Sequence, residues 1–318
     1  MKRSKCTISY TNLHPKGSRR SQKRRRRNGI NVGATPLARN KTSTTCKANI
    51  EPKAKSDLRL FKIYRFDGIL ERSAKPYIQT YELDVNTCGK MLLDALLKIK
   101  EMDPSISFRR SCREGVCGSC AMNVQGSNCL TCIKSIPPAK TVVIYPLPHM
   151  YVIRDLVVDM THFTNGYDSI RPFLIRREKV NMGDYQYAQS IKDNAKMVGL
   201  YECVLCSCCS TSCPSYWWNG RRFLGPASLL HAYRWVIDSR DDNTYHRLSE
   251  LKDDFKAFRC HTIMNCAVDC PKGLNPSIAI AKLKRLIAGL DSKPLPDIDP
   301  MLFYQKKEGK KTGPPPEK

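Results

Sequence analysis

Nowhere in this 318-residue sequence does an apolar run approach about 18 residues, so the chain does not cross a bilayer by itself. It also lacks any G-x-G-x-x-G string, the fingerprint that positions a dinucleotide on a βαβ unit, so no dinucleotide site of that kind is expected on this chain. Acids are absent from the first 50 residues: Glu51 is the first, and 14 Lys and Arg precede it, including the run Lys23–Arg27. No apolar stretch of about 7–15 residues follows that basic run, which excludes a secretory signal. An acid-free leader rich in Arg, Ser and Thr is expected to be a mitochondrial transit peptide, cleaved somewhere between Arg39 and about Ser56. A disordered nucleic-acid-binding arm or a nuclear-localisation run would share this composition.

The charge is present in excess, 54 Lys and Arg against 29 Asp and Glu, for a net +25. Setting the leader aside leaves 40 basic against 29 acidic residues, +11, so more than half of the excess belongs to that segment. A nucleic-acid-binding protein would spread the charge over its folded part, and no nucleic-acid partner is expected. At 41% hydrophobic residues the remainder can bury ordinary cores, and the length is right for two domains. Gln305–Lys318 is Lys-rich and ends in a triple proline, which reads as a mobile tail.

Hydrophobic period divides the rest. Tyr81, Leu83 and Val85 alternate with polar neighbours, and Leu58–Phe66 and Thr141–Tyr145 are rich in β-branched and aromatic residues, so three strands are expected. Between Gly89 and Glu101 the period becomes helical, with Met91, Leu92, Ala95, Leu96 and Ile99 on one face and Pro104 just beyond. A small mixed sheet packed on one helix accounts for these. After Pro148, helices are expected over Val152–Met160, Ser190–Tyr201, Pro226–Asp238 and Pro276–Leu290, the last two opening with N1 prolines and the last with Asn275 as N-cap. The boundary between the halves is expected between Pro146 and Val152.

The 16 cysteines form three clusters. Cys112-x4-Cys117-x2-Cys120, followed by Cys129 and Cys132, has plant-type 2Fe–2S ferredoxin spacing; Gly115 and Gly118 suit a loop that curls around a cluster. Spacing leaves Cys129 and Cys132 both open as the fourth ligand. A zinc site from Cys117, Cys120, Cys129 and Cys132 would strand Cys112. Arg109, Arg110 and Arg113 would help to hold thiolates ionised, or else are surface groups. Cys203-x2-Cys206-x2-Cys209-x3-Cys213-Pro214 is the bacterial-ferredoxin run, in which the fourth Cys serves the other cluster. Cys260-x5-Cys266-x3-Cys270-Pro271 is the same run with Ile263 in place of the second Cys. Cross-ligation then gives one site of Cys203, Cys206, Cys209 and Cys270, and leaves Cys213, Cys260 and Cys266 for the other. Three thiolates and an isoleucine point to 3Fe–4S, with an open or water-ligated 4Fe–4S as the alternative. Cys6 and Cys46 lie in the leader; Cys88, Cys208 and the unused member of the Cys129/Cys132 pair are expected to be small apolar residues without ligand duty.

At SCREGVCGSCAMNV, CVLCSCCSTSCPSYWWN and CHTIMNCAVDCPKGLNP the sequence closely resembles the iron–sulfur subunit of succinate dehydrogenase, over roughly three quarters of the chain from about Leu58 to about Leu290. The resemblance implies an α+β chain: a plant-type ferredoxin-like (β-grasp) domain, then an α-helical bacterial-ferredoxin-like domain. The expected division is leader 1–56, 2Fe–2S domain 57–148, helical domain 149–296 with 4Fe–4S and 3Fe–4S clusters, and a flexible tail 297–318. It implies Cys132 as the fourth 2Fe–2S ligand. It implies that electrons pass from the FAD of a flavoprotein partner, which oxidises succinate, through the three clusters to ubiquinone in a pocket shared with membrane anchor subunits. The matching quinone-side residues are Pro214, Trp217, Trp218, His261 and Ile263. Trp218 is the main candidate, because an indole N–H can hold a quinone oxygen while its ring packs on the headgroup; Trp217 reads as core or subunit interface, and His261 as a proton donor or a helix cap. The implied location is the matrix side of the mitochondrial inner membrane, peripherally attached. Fumarate reductase carries the same cluster set in the opposite direction, and the PSYWWN string after Cys213 favours the succinate-oxidising form.

Overall fold

The computed structural model describes residues 56–68, 75–177 and 186–302; the leader and Gln305–Lys318 lie outside them. Strands β1 (Leu58–Arg65) and β2 (Tyr77–Asp84) pair antiparallel. Helix α1 (Leu92–Met102) follows, then β3 (Ala121–Val124), β4 (Ser127–Leu130) and β5 (Thr141–Tyr145). The sheet order is β2-β1-β5-β3-β4, with β1 and β5 parallel and the other pairs antiparallel. Period two puts Phe61, Ile63, Tyr81 and Leu83 on one face, where the apolar stripe of α1 (Leu92, Ala95, Leu96, Ile99) covers them. The Asp94 carboxylate starts α1 by accepting the Met91 N–H at 3.2 Å.

Val152–Met160 is not a helix. It is a hairpin, β6 (Val152–Arg154) and β7 (Val157–Val158), turning at Asp155 in the left-handed region with φ 46°. Four β-branched residues favour the strands, and the buried Asp155 carboxylate fixes the turn. It accepts hydrogen bonds from Arg65 Nε (2.9 Å), the Phe66 N–H (3.1 Å) and the Ser107 N–H (2.8 Å). Arg65 is itself buried and also binds the Tyr81 hydroxyl (2.6 Å) and Asp103 (2.9 Å), so one ion-pair network ties strand, helix end and hairpin together.

Beyond the hairpin the described chain is helical: α2 (Thr161–Asp168), α3 (Ile191–Ala195), α4 (Cys208–Thr211), α5 (Pro214–Asn219), α6 (Gly225–Ile237), α7 (Thr244–Glu250), α8 (Asn265–Val268) and α9 (Pro276–Ile287). The helix expected over Ser190–Tyr201 is short; α3 starts on the Ser190 hydroxyl, which accepts the Asp193 N–H, and residues from Lys196 onward continue as turns. Asn275 caps α9 as expected, accepting the Ile278 N–H at 3.2 Å behind Pro276. Helices α6 and α9 carry the second core, with Leu229, Leu230, Val236, Ile280 and Leu283 buried. Residues 297–302 are docked: the Asp297 N–H donates to Asp193 (2.9 Å) and the Pro300 carbonyl accepts from the Ala188 N–H (3.0 Å). The architecture is therefore α+β, and no helix among the described residues is long and apolar enough to cross a membrane.

Candidate iron–sulfur sites and an aromatic groove

The described cysteines are all free thiols, and they gather in three places. Cys112–Cys120 is a loop whose backbone turns left-handed at Arg113, Gly115 and Gly118. The N–H groups of Glu114 and Val116 point at Cys112 Sγ, each at 3.4 Å, and pull its thiol down to about 6. Backbone donors, not the neighbouring arginines, thus favour the thiolate; Arg113 instead faces Asp94 at 3.6 Å. Cys132 packs with Cys120, Leu93 and Leu130, and burial pushes its thiol up to about 12. Cys129 lies opposite Met122 on β4, inside the sheet core, and is pushed up to about 11 by burial. The two candidates for fourth ligand therefore occupy different surroundings.

Cys203, Cys206, Cys209 and Cys270 line a single small cavity, together with Val204, Ser207, Ala227, Leu230 and Leu274. The Leu274 N–H donates to Cys270 Sγ at 3.4 Å. Cys208 is wholly buried beside them; its thiol donates to Cys206, holding Cys206 down while Cys208 itself is pushed well up. That gives a sequence-stranded cysteine a role that spacing does not disclose. Cys213, Cys260 and Cys266 line a second small cavity with Pro214, His261 and Ile263. Here Cys266 Sγ meets Ser277 Oγ at 3.2 Å.

The two runs repeat each other in backbone as well as in spacing. Leu205 and Ser207, two and four residues after Cys203, have φ of 54° and 65°; Thr262 and Met264, two and four residues after Cys260, have 58° and 71°. One turn of helix follows each pair, α4 and α8. Ile263 thus stands where Cys206 stands in the first run. Among the described residues no three His, Cys, Asp or Glu side chains close around one point as a single ion would require. Thiolates of a 4Fe–4S or 3Fe–4S cluster each reach a different iron and those of 2Fe–2S fall in pairs on two irons, so none of them needs three ligands around one point, whereas zinc–thiolate ligands all sit about 2.3 Å from one centre. The donor sets fit clusters.

The quinone-side candidates fall in two adjoining places. Pro214, His261 and Ile263 line the three-cysteine cavity, whereas Trp218 lines an open groove with His149, Tyr151, His162, Trp217 and Arg221. Pro214 and Trp218 are four residues apart on α5, so one helical turn, about 6 Å, separates the two. Trp218 is 75% exposed. Trp217 is instead fixed, stacked on His149 at 4.1 Å with its indole N–H donated to the Thr211 carbonyl at 2.6 Å. His149, missed by sequence reasoning, carries no motif to flag it; only its stacking brings it into the groove.

Comparison with known proteins agrees with this layout. Residues 60–165 match the family of 2Fe–2S iron–sulfur cluster binding domains, and residues 202–275 the family of 4Fe–4S dicluster domains. Among solved structures, a chain of the Mycobacterium smegmatis Sdh1 complex in the apo form is similar at 21% identity and a TM-score of 0.64, covering 75% of this chain and 99% of that one. A hypothetical protein from Helicobacter pylori is similar at 15% identity and a TM-score of 0.45, covering 78% of this chain and 42% of that one. The chain thus carries a 2Fe–2S cluster binding domain followed by a 4Fe–4S dicluster domain, on a fold shared with a chain of the Sdh1 complex.

Proposed function

We propose that the chain is the electron-transfer subunit of a succinate:ubiquinone oxidoreductase. The observation that carries this reading is the sorting of seven cysteines into a four-thiol cavity and a three-thiol cavity, the second with Ile263 on its wall. On this reading Cys112, Cys117, Cys120 and Cys132 hold 2Fe–2S; Cys203, Cys206, Cys209 and Cys270 hold 4Fe–4S; and Cys213, Cys260 and Cys266 hold 3Fe–4S. When bound, the clusters supply one-electron redox chemistry in series between the FAD of a flavoprotein partner and ubiquinone. Cys112 would offer a ready thiolate to an iron because two N–H groups stabilise the anion, whereas the buried thiols would have to release protons on binding. Trp218 offers its indole N–H to a quinone oxygen, Pro214 and Ile263 form the apolar wall toward the cluster, and His261 brings a proton. The leader directs import, and anchor subunits hold the complex on the matrix face of the inner membrane. The domain division 57–148 and 149–296 is part of the same proposal.

The test is affinity capture of the tagged full-length chain from mitochondria, with low-temperature EPR of the captured complex as isolated. An FAD-bearing partner and a 3Fe–4S signal in the oxidised state are expected. Capture without a flavoprotein, or an oxidised complex with no three-iron signal, overturns the reading.

A further inference from the structure

Ser207 is buried to 1% exposure, yet its hydroxyl has no hydrogen-bond partner within the chain. Of the neighbouring hydroxyls on the same turn, Thr211 bonds the Ser207 carbonyl at 2.9 Å and Ser212 the Cys209 carbonyl at 3.0 Å, while Ser210 is unpartnered like Ser207 but does not line the cavity. Such back-bonding is the ordinary fate of a Ser or Thr in a helix. Ser207 precedes α4 with its backbone in the left-handed region, at φ 65°, a conformation that favours glycine or asparagine over serine. Ser207 lines the cavity of Cys203, Cys206, Cys209 and Cys270. A buried donor left without a protein partner, on the wall of a cavity ringed by thiols, requires an acceptor inside that cavity. At the corresponding position of the second run stands Met264, which has no donor to offer.

We propose that the Ser207 hydroxyl donates a hydrogen bond to a sulfur of the cluster held by these four cysteines and raises its reduction potential. This rests on the assignment of 4Fe–4S to the four-thiol cavity. An O–H donated to a thiolate or sulfide withdraws charge from the cluster and favours the reduced, more negative state. It also distinguishes the two helical-domain sites, since among the described residues only the first has a fully buried, unpartnered hydroxyl on a residue of its wall.

The experiment is an EPR-monitored redox titration of the 4Fe–4S signal in the assembled complex, for wild type, Ser207→Ala, Ser207→Gly and Ser210→Ala. Ser207→Gly removes the hydroxyl and relieves the left-handed backbone, so it separates loss of the donor from strain. Ser210, equally buried and unpartnered but not on the cavity wall, is the control. Both Ser207 variants should titrate at lower potential than wild type, with the same shift, and Ser210→Ala should not move. Pulsed EPR in D₂O should show one exchangeable proton coupling fewer in both Ser207 variants. Unchanged potentials, an equal shift in Ser210→Ala, or loss of the cluster from both Ser207 variants overturns the proposal. A wild-type complex with no 4Fe–4S signal at all would instead overturn the cluster assignment.

Discussion

Ile263 shows how much one side chain can decide. It is 49% exposed, sits on a backbone that repeats that of the first run, and takes the place that Cys206 takes there. Ile263→Cys should therefore supply a fourth thiolate: the oxidised three-iron EPR signal should disappear and the site should titrate at lower potential, whereas an unchanged spectrum would count against the cross-ligated arrangement. Trp218→Ala should slow quinone reduction by about tenfold, the worth of one hydrogen bond with its ring contact, while succinate oxidation with an artificial flavin-level acceptor is unaltered. Equal loss in both assays would remove Trp218 from the quinone site. At this scale the grouping of the candidate cysteines was legible, because motif spacing is a local property of the chain. Cys208, Cys129 and Ser207 were not, since their roles depend on what lies across a cavity or a sheet and leave no mark on spacing.

Among the elements, the hairpin β6–β7 is the instructive miss. Its apolar residues fit a helical period, but the turn at Asp155 is set by Arg65, 90 positions away in the sequence. Asp155→Ala would leave that guanidinium buried with one charge partner fewer and should destabilise the fold by about 3–5 kcal/mol, measured as a fall in the thermal unfolding midpoint. The long elements with intact periods, β1, β2, α1, α6 and α9, were legible to within a few residues. The short β3–β4 hairpin and the single-turn helices α4 and α8 were not, because ligand loops are shaped by what they enclose. Helix α6 carries a second consequence. His231 is buried against Tyr167, its Nε2 is without a partner, and burial followed by the Arg234 charge lowers its pKa to about 4. An unfolded His231 gains its proton below about 6.5, which the folded one refuses until about 4, so stability is complete above 6.5 and falls with pH between these values by about 1.4 kcal/mol per unit. His231→Phe should flatten that slope in thermal unfolding between pH 6.5 and 5.5; an unchanged slope would place the dependence elsewhere.

For the molecule as a whole, the decisive feature is how closely the two cluster-bearing halves approach. A Cβ on Gly118 would lie 2.7 Å from the Val204 carbonyl oxygen and 3.1 Å from Cys206 Cα, and its φ of +71° is itself unfavourable for other residues. Asn128 reinforces the contact, donating to the Cys208 carbonyl (3.0 Å) and to Thr211 Oγ1 (3.1 Å). Gly118→Ala should part the two loops and slow electron transfer between the first two clusters, seen as reduced succinate–quinone activity with flavin-level activity intact; a full quinone rate would show that the approach is not limiting. None of this docking was legible in the sequence, since neither periodicity nor motif spacing reports which loop of one half meets which loop of the other. The repeated runs carry one more consequence, for the order in which the molecule is made. Each cavity draws thiols from both runs: Cys270 closes the wall begun at Cys203, and Cys213 waits for Cys260 and Cys266. The three-thiol cavity lacks its last thiol until residue 266 has left the ribosome and the four-thiol cavity until residue 270 has, so metallation of this half is a late event, and a chain terminated in the stretch between the runs forfeits both sites at once.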